Sequence, residues 1–134
     1  MSHFSIAYWC VFAAAVLPIV CAGIAKSGRF VPLSEGGYDN RSPRDWLAQQ
    51  TQWRGRANAA QANSFEALPF FIGAVVIAHQ LGADQNGLDW LAALFITLRV
   101  VYVGLYVAGL ANARSLVWTG AFITNIAILF IGYR

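Results

Sequence analysis

Apolar residues fall into four long blocks separated by polar links. The first block, from about Phe4 to Ala25, contains no charged residue. The others run from about Ala57 to Leu81, Leu88 to Leu110 and Ser115 to Tyr133. Each is near the length of about 20 residues that a helix needs to cross a hydrocarbon layer of about 30 Å. The pattern predicts an all-α membrane protein, a four-helix bundle of up-down topology filling residues 1–134 as one domain. No repeat or low-complexity tract interrupts it. The second block departs from the pattern where it begins. Arg56, Asn63 and Glu66 stand on one helical stripe with Ala59, and Phe70 ends it. A charge near the centre of a membrane helix costs roughly 2.5–3.5 kcal/mol on insertion scales, so such groups face a partner or a cavity.

Composition supports the membrane reading. Of 134 residues, 58% are hydrophobic and 11% charged, against about 25% charged in an ordinary soluble domain. The net charge of +3 is unevenly spread. Lys26, Arg29, Arg41, Arg44, Arg54 and Arg56 lie between the first two blocks and Arg114 between the last two, while the other side holds only Arg134. The positive-inside rule then places the first and third links in the cytoplasm and both termini outside. The basic balance suits membrane lipids with anionic head groups; without a soluble basic face it does not suit nucleic acid. The first block lacks the basic start of a signal peptide and is too long for one. That absence and the compact loops point to a bacterial inner membrane. Cys10 and Cys21 stand about 16 Å apart on one helix, too far for a disulfide.

The link from Lys26 to Gly55 is the one long polar segment. Ser42-Pro43-Arg44-Asp45 has the form of a helix start, and residues 46–53 predict a short interfacial helix with Trp46 and Trp53 at head-group level. The links Gly82–Gly87 and Gly109–Ala113 are tight turns, so consecutive spans are antiparallel neighbours. Pro18 and Pro69 free the carbonyls of Ala14 and Phe65 within their spans.

In the third block Arg99, Tyr102 and Tyr106 share one face. Counted from the basic ends of their spans, Glu66 and Arg99 lie roughly 14–16 Å deep. They can form a register-fixing ion pair or serve a ligand site with Asn63, Tyr102, Tyr106, Arg114 and Ser115 in the same half of the bundle. Neither His3 nor His79 has a partner at metal-ligand spacing, so no metal site is expected.

Asn63-x-x-Glu66-x-x-Pro69, then Arg99-x-x-Tyr102-x-x-x-Tyr106, then Arg114-Ser115, resembles the MAPEG superfamily, the membrane-associated proteins in eicosanoid and glutathione metabolism, over essentially the whole chain. The resemblance, to a bacterial-type member, implies a homotrimer binding glutathione as co-substrate between subunits, with a lipophilic small molecule as second substrate. It implies that Asn63 and Glu66 hold the peptide part of glutathione, and that Tyr102 and Tyr106 line the pocket. Arg99 would support Glu66 or meet a carboxylate, and Arg114 or Ser115 would face the thiol. Many catalytic relatives carry an arginine where this chain has Ala59, a role for which Arg54 or Arg56 is the available substitute, and some carry a tyrosine where it has Trp118. The activity implied is a glutathione transferase or peroxidase acting on small lipophilic electrophiles. The alternative is a MAPEG-like lipid-binding or scaffold protein without catalysis. A small multidrug transporter, also of four spans, needs an acidic residue in its first span, and this chain has none there.

Overall fold

The computed structural model describes residues 3–134 and is built of helices. They are α1 (Ile6–Lys26), α2 (Pro43–Ala48), α3 (Gln52–Gln80), α4 (Gln85–Ala108) and α5 (Ala111–Phe130), with one 3-10 turn at Leu33–Glu35. All but α2 are long and apolar enough to cross a membrane. The chain is a multi-pass membrane protein of four-helix-bundle type.

Small residues make the bundle close-packed. Ala7, Ala14, Ala74, Ala78, Ala92 and Ala121 are buried at helix contacts, around Phe71 stacked on Phe95 at 4.2 Å between ring centres. Small side chains let helix backbones approach, which in lipid stands in for a hydrophobic driving force. The central pair, α3 and α4, is packed by both α1 and α5.

The helix ends are settled by side chains. Ser5 caps α1 by accepting from the Tyr8 N–H, and Asp89 of α4 accepts from the Ala7 N–H at 2.9 Å. At the other end of α1, Arg54 Nη1 donates to the carbonyls of Ala25 (2.8 Å) and Ser27 (2.6 Å). A cation on the last carbonyls of a helix satisfies orphan acceptors and meets the negative end of its dipole.

The long link differs from expectation. Its helix begins at Pro43 as predicted but ends at Ala48, and its two tryptophans have different fates. Trp46 is only 8% exposed and donates its indole N–H to the Gly37 carbonyl at 3.0 Å. Trp53 belongs to the first turn of α3, with the Arg54 guanidinium 4.2 Å from its ring centre. The physical reason lies at Gly37, where a Cβ would fall 1.8 Å from the Val31 carbonyl oxygen. The loop folds back on itself only with glycine there, and the fold-back supplies the acceptor that draws Trp46 inward. The last link is shorter than predicted too. Gly109 adopts φ +79° and closes α4, and α5 starts at Ala111. Arg114 and Ser115 therefore stand a turn inside α5.

Candidate functional site

Arg99 dominates the middle of the bundle. It is 3% exposed, and removing a guanidinium from water costs several kcal/mol unless its donors are met. The expected Glu66–Arg99 ion pair is not what meets them. Among the described residues the one ion pair is Arg41 with Asp39, on the surface of the long link at 3.0 Å. Instead Arg99 Nη2 donates to Asn63 Oδ1 at 2.9 Å and to Ser64 Oγ at 3.4 Å. Its guanidinium lies 4.3 Å from the centre of the Tyr102 ring, a cation–π contact. The long side chain leans toward the basic end of the bundle, as cationic side chains in membranes do. That displacement takes it past the level of Glu66 to that of Asn63.

Glu66 is linked to Arg99 through the asparagine. Asn63 Nδ2 donates to Glu66 Oε2 at 3.4 Å, so one amide accepts from the cation and donates to the carboxylate. Glu66 itself lies on the exposed side of α3. A carboxylate at membrane depth on the exposed side of the bundle has no stable place against lipid, and calls for a polar partner. Its direction is outward.

Tyr102 connects this cluster to a second one. It meets Tyr106 edge-on with ring centres 5.6 Å apart, and the Arg114 guanidinium lies 4.3 Å from the Tyr106 ring centre. Arg56 reaches the same place by donating its Nε–H to the Val107 carbonyl at 3.0 Å. A Cβ at Gly109 would lie 3.4 Å from the Arg56 guanidinium carbon, an ordinary contact, so the glycine serves the turn against which Arg56 packs. Arg56, Tyr106, Gly109, Leu110 and Arg114 line a small cleft of about 70 Å³. Two guanidinium groups with no carboxylate among these residues suit an anion, whether carboxylate or thiolate.

Of the residues predicted from the sequence, Asn63, Glu66, Arg99 and Tyr102 form the deep cluster, and Tyr106, Arg114 and Arg56 the shallow one. Ser115 stands apart. It is exposed, and its carbonyl accepts from Thr119 Oγ1. Ala59 leaves its own position on the stripe without a cation. Arg54 does not replace it, being committed to the end of α1; Arg56 is the arginine that reaches the site.

Ser64 and Asn125 were not anticipated. Ser64 is buried beside Arg99, and its signal was a hydroxyl next to Asn63 on a span that must neutralise an arginine. Asn125 carries an amide in the otherwise apolar second half of the fourth block. With Asn63, Glu66 and Arg99 it lines a cavity of about 150 Å³ between α3, α4 and α5, walled by Phe70, Trp118 and Phe122. A separate hollow of about 400 Å³ on another flank of α3 holds Lys26, Arg44, Asn58 and Gln61. Two cations without a carboxylate make it suitable for an anionic lipid head group.

A family model described as the MAPEG family matches residues 6–133. No curated protein and no solved structure matches the chain. The family match spans all four membrane helices and both polar clusters, so the chain belongs to the MAPEG family.

Proposed function

We propose that the protein is a membrane-bound, glutathione-dependent transferase or peroxidase acting on small lipophilic electrophiles. It works as a homotrimer in a bacterial inner membrane, with both termini on the non-cytoplasmic side. The observation that carries the reading is the chain from buried Arg99 through Asn63 to outward-facing Glu66. It holds an oriented carboxylate open to something outside the subunit, at a depth where lipid offers no partner.

Glutathione supplies complementary groups. Its α-ammonium pairs with Glu66, and Asn63 and the tyrosines fix its peptide part. The cleft between Arg56 and Arg114 takes an anion. A thiol held beside the Arg114 guanidinium loses its proton to water more readily, because the cation stabilises the thiolate. In conjugation the thiolate forms a carbon–sulfur bond to the electrophile, and the leaving group departs with the electron pair of the bond it breaks. In peroxide reduction two glutathione molecules become the disulfide, while the hydroperoxide yields an alcohol and water.

One observation favours the non-catalytic alternative, a lipid-binding or scaffold protein. Ala59 supplies no charge and Arg54 is spent on α1, so Arg56 and Arg114 must serve the cleft between them. Calorimetric titration of the detergent-solubilised protein with glutathione separates the readings. The enzyme reading predicts saturable binding that weakens about tenfold in Glu66→Gln, as expected for a lost charge-assisted hydrogen bond. Absence of binding to a folded trimer, or equal binding by the variant, supports the scaffold.

A further inference from the structure

We propose that the cavity between α3, α4 and α5 is a binding site for a small neutral lipophilic molecule bearing a hydroxyl group, with Asn125 as the residue that recognises the hydroxyl. Asn125 is 3% exposed, and its Oδ1 has no hydrogen-bond partner among the described residues. Its neighbour Thr124 settles its hydroxyl on the Gly120 carbonyl at 2.8 Å, as Thr119 and Thr97 do on the carbonyls four residues before them. The Asn125 amide oxygen finds no such donor. A buried amide end without a partner is costly in a membrane interior, where bulk water is not at hand. Here it lines the cavity.

The rest of the cavity says what the partner looks like. Phe95 and Ala121 are buried and close its inner side, whereas Phe70, Trp118 and Phe122 are between 39% and 45% exposed at its mouth. Trp118 and Phe122 lie parallel, with an interplanar angle of 4° and ring centres 5.4 Å apart, and Phe70 stands 6.0 Å from Phe122. An aromatic mouth of this kind admits a flat apolar body from the lipid. A volume of about 150 Å³ is of the size that holds a benzene ring in an apolar cavity. Glu66 on the lining disfavours an anion, and the charge of Arg99 is already taken up by Asn63, Ser64 and the Tyr102 ring. A hydroxyl both donates and accepts, so it satisfies the amide whichever way the amide is turned.

This inference borrows from the proposed function only the position of the pocket beside the glutathione cluster. Its test contains no glutathione, so the two can fail separately. The probes are 4-fluorophenol and 4-fluorotoluene, nearly equal in size and differing in the hydroxyl. Fluorine NMR titration of the full chain in detergent gives an affinity ratio for the pair, and dividing that ratio for the wild type by that for Asn125→Leu cancels partition into the micelle. The expected quotient is about tenfold in favour of the phenol, the worth of one satisfied buried amide. Trp118→Leu should weaken both probes and leave their ratio unchanged. A quotient within about twofold of one, or unaltered affinities in Trp118→Leu, overturns the proposal. Should Asn125→Leu not fold, the wild type labelled with nitrogen-15 at asparagine decides the matter. The Asn125 side-chain amide resonance must move with fluorophenol and stay with fluorotoluene; if it moves with both or neither, the site is not the one described.

Discussion

At the scale of single residues, Arg99 and Glu66 have separable roles because no direct contact joins them. Arg99 is buried and organises Asn63, Ser64 and Tyr102, whereas Glu66 accepts one long hydrogen bond and faces outward. Arg99→Leu strands the Asn63 carbonyl and takes a donor from the Ser64 hydroxyl, and should lower the unfolding free energy by about 2–3 kcal/mol. Glu66→Gln keeps an oxygen to accept from Asn63 and should change it by less than about 1 kcal/mol, while weakening glutathione binding. Thermal unfolding of both variants in one detergent checks this, and equal destabilisation would restore a structural ion pair. The stripes that carry these residues were legible in the sequence, since the 3.6-residue period puts Asn63 with Glu66 and Arg99 with Tyr102 and Tyr106. The partner of Arg99 was not. Six side-chain bonds let a guanidinium travel a full turn along the helix, and only packing determines which turn. Asn125 was illegible for another reason. An amide in a membrane span reads as ordinary interhelical glue, and only the fold shows that its oxygen has nothing to bind.

At the scale of elements, the four spans were legible because uninterrupted apolar runs near 20 residues long leave little else to predict. The ends were less so. The turn at Gly109 depends on a left-handed conformation that gives the chain a two-residue link and Arg56 its place. Gly109→Ala should cost about 1 kcal/mol or more through the backbone alone, while the added methyl meets Arg56 only at ordinary contact distance. Thermal unfolding checks this, and an unchanged midpoint would show that the left-handed turn is not required. The fold-back around Gly37 was hidden because its driving contact, Trp46 on the Gly37 carbonyl, is tertiary. Arg54 ties the same region to α1. Arg54→Met should therefore raise hydrogen exchange at residues 25–29 without affecting the site cluster, since Arg54 spends its donors on α1. Raised exchange around residue 99 instead would show that the cluster depends on that tie.

At the scale of the whole molecule, asymmetry of charge and the outward direction of Glu66 bear on assembly and orientation. With Cys10 and Cys21 replaced by alanine, a cysteine at Ser34 should react with an impermeant thiol reagent from the cytoplasmic face, and one at Asn86 from the opposite face. The reverse pattern would contradict the positive-inside reading of the links. Family membership rests on the family match over residues 6–133 and the four-helix framework on the fold, while the chemistry rests on what the paired clusters bind. The measurement that tests this most directly is ultraviolet difference absorbance of the purified protein on adding glutathione, with Arg114→Ala beside it. The account predicts a saturable thiolate signal in the wild type that fades in the variant, because the Arg114 guanidinium is the cation assigned to the sulfur. No signal from folded protein, or an equal one from Arg114→Ala, would contradict the activated-thiol site.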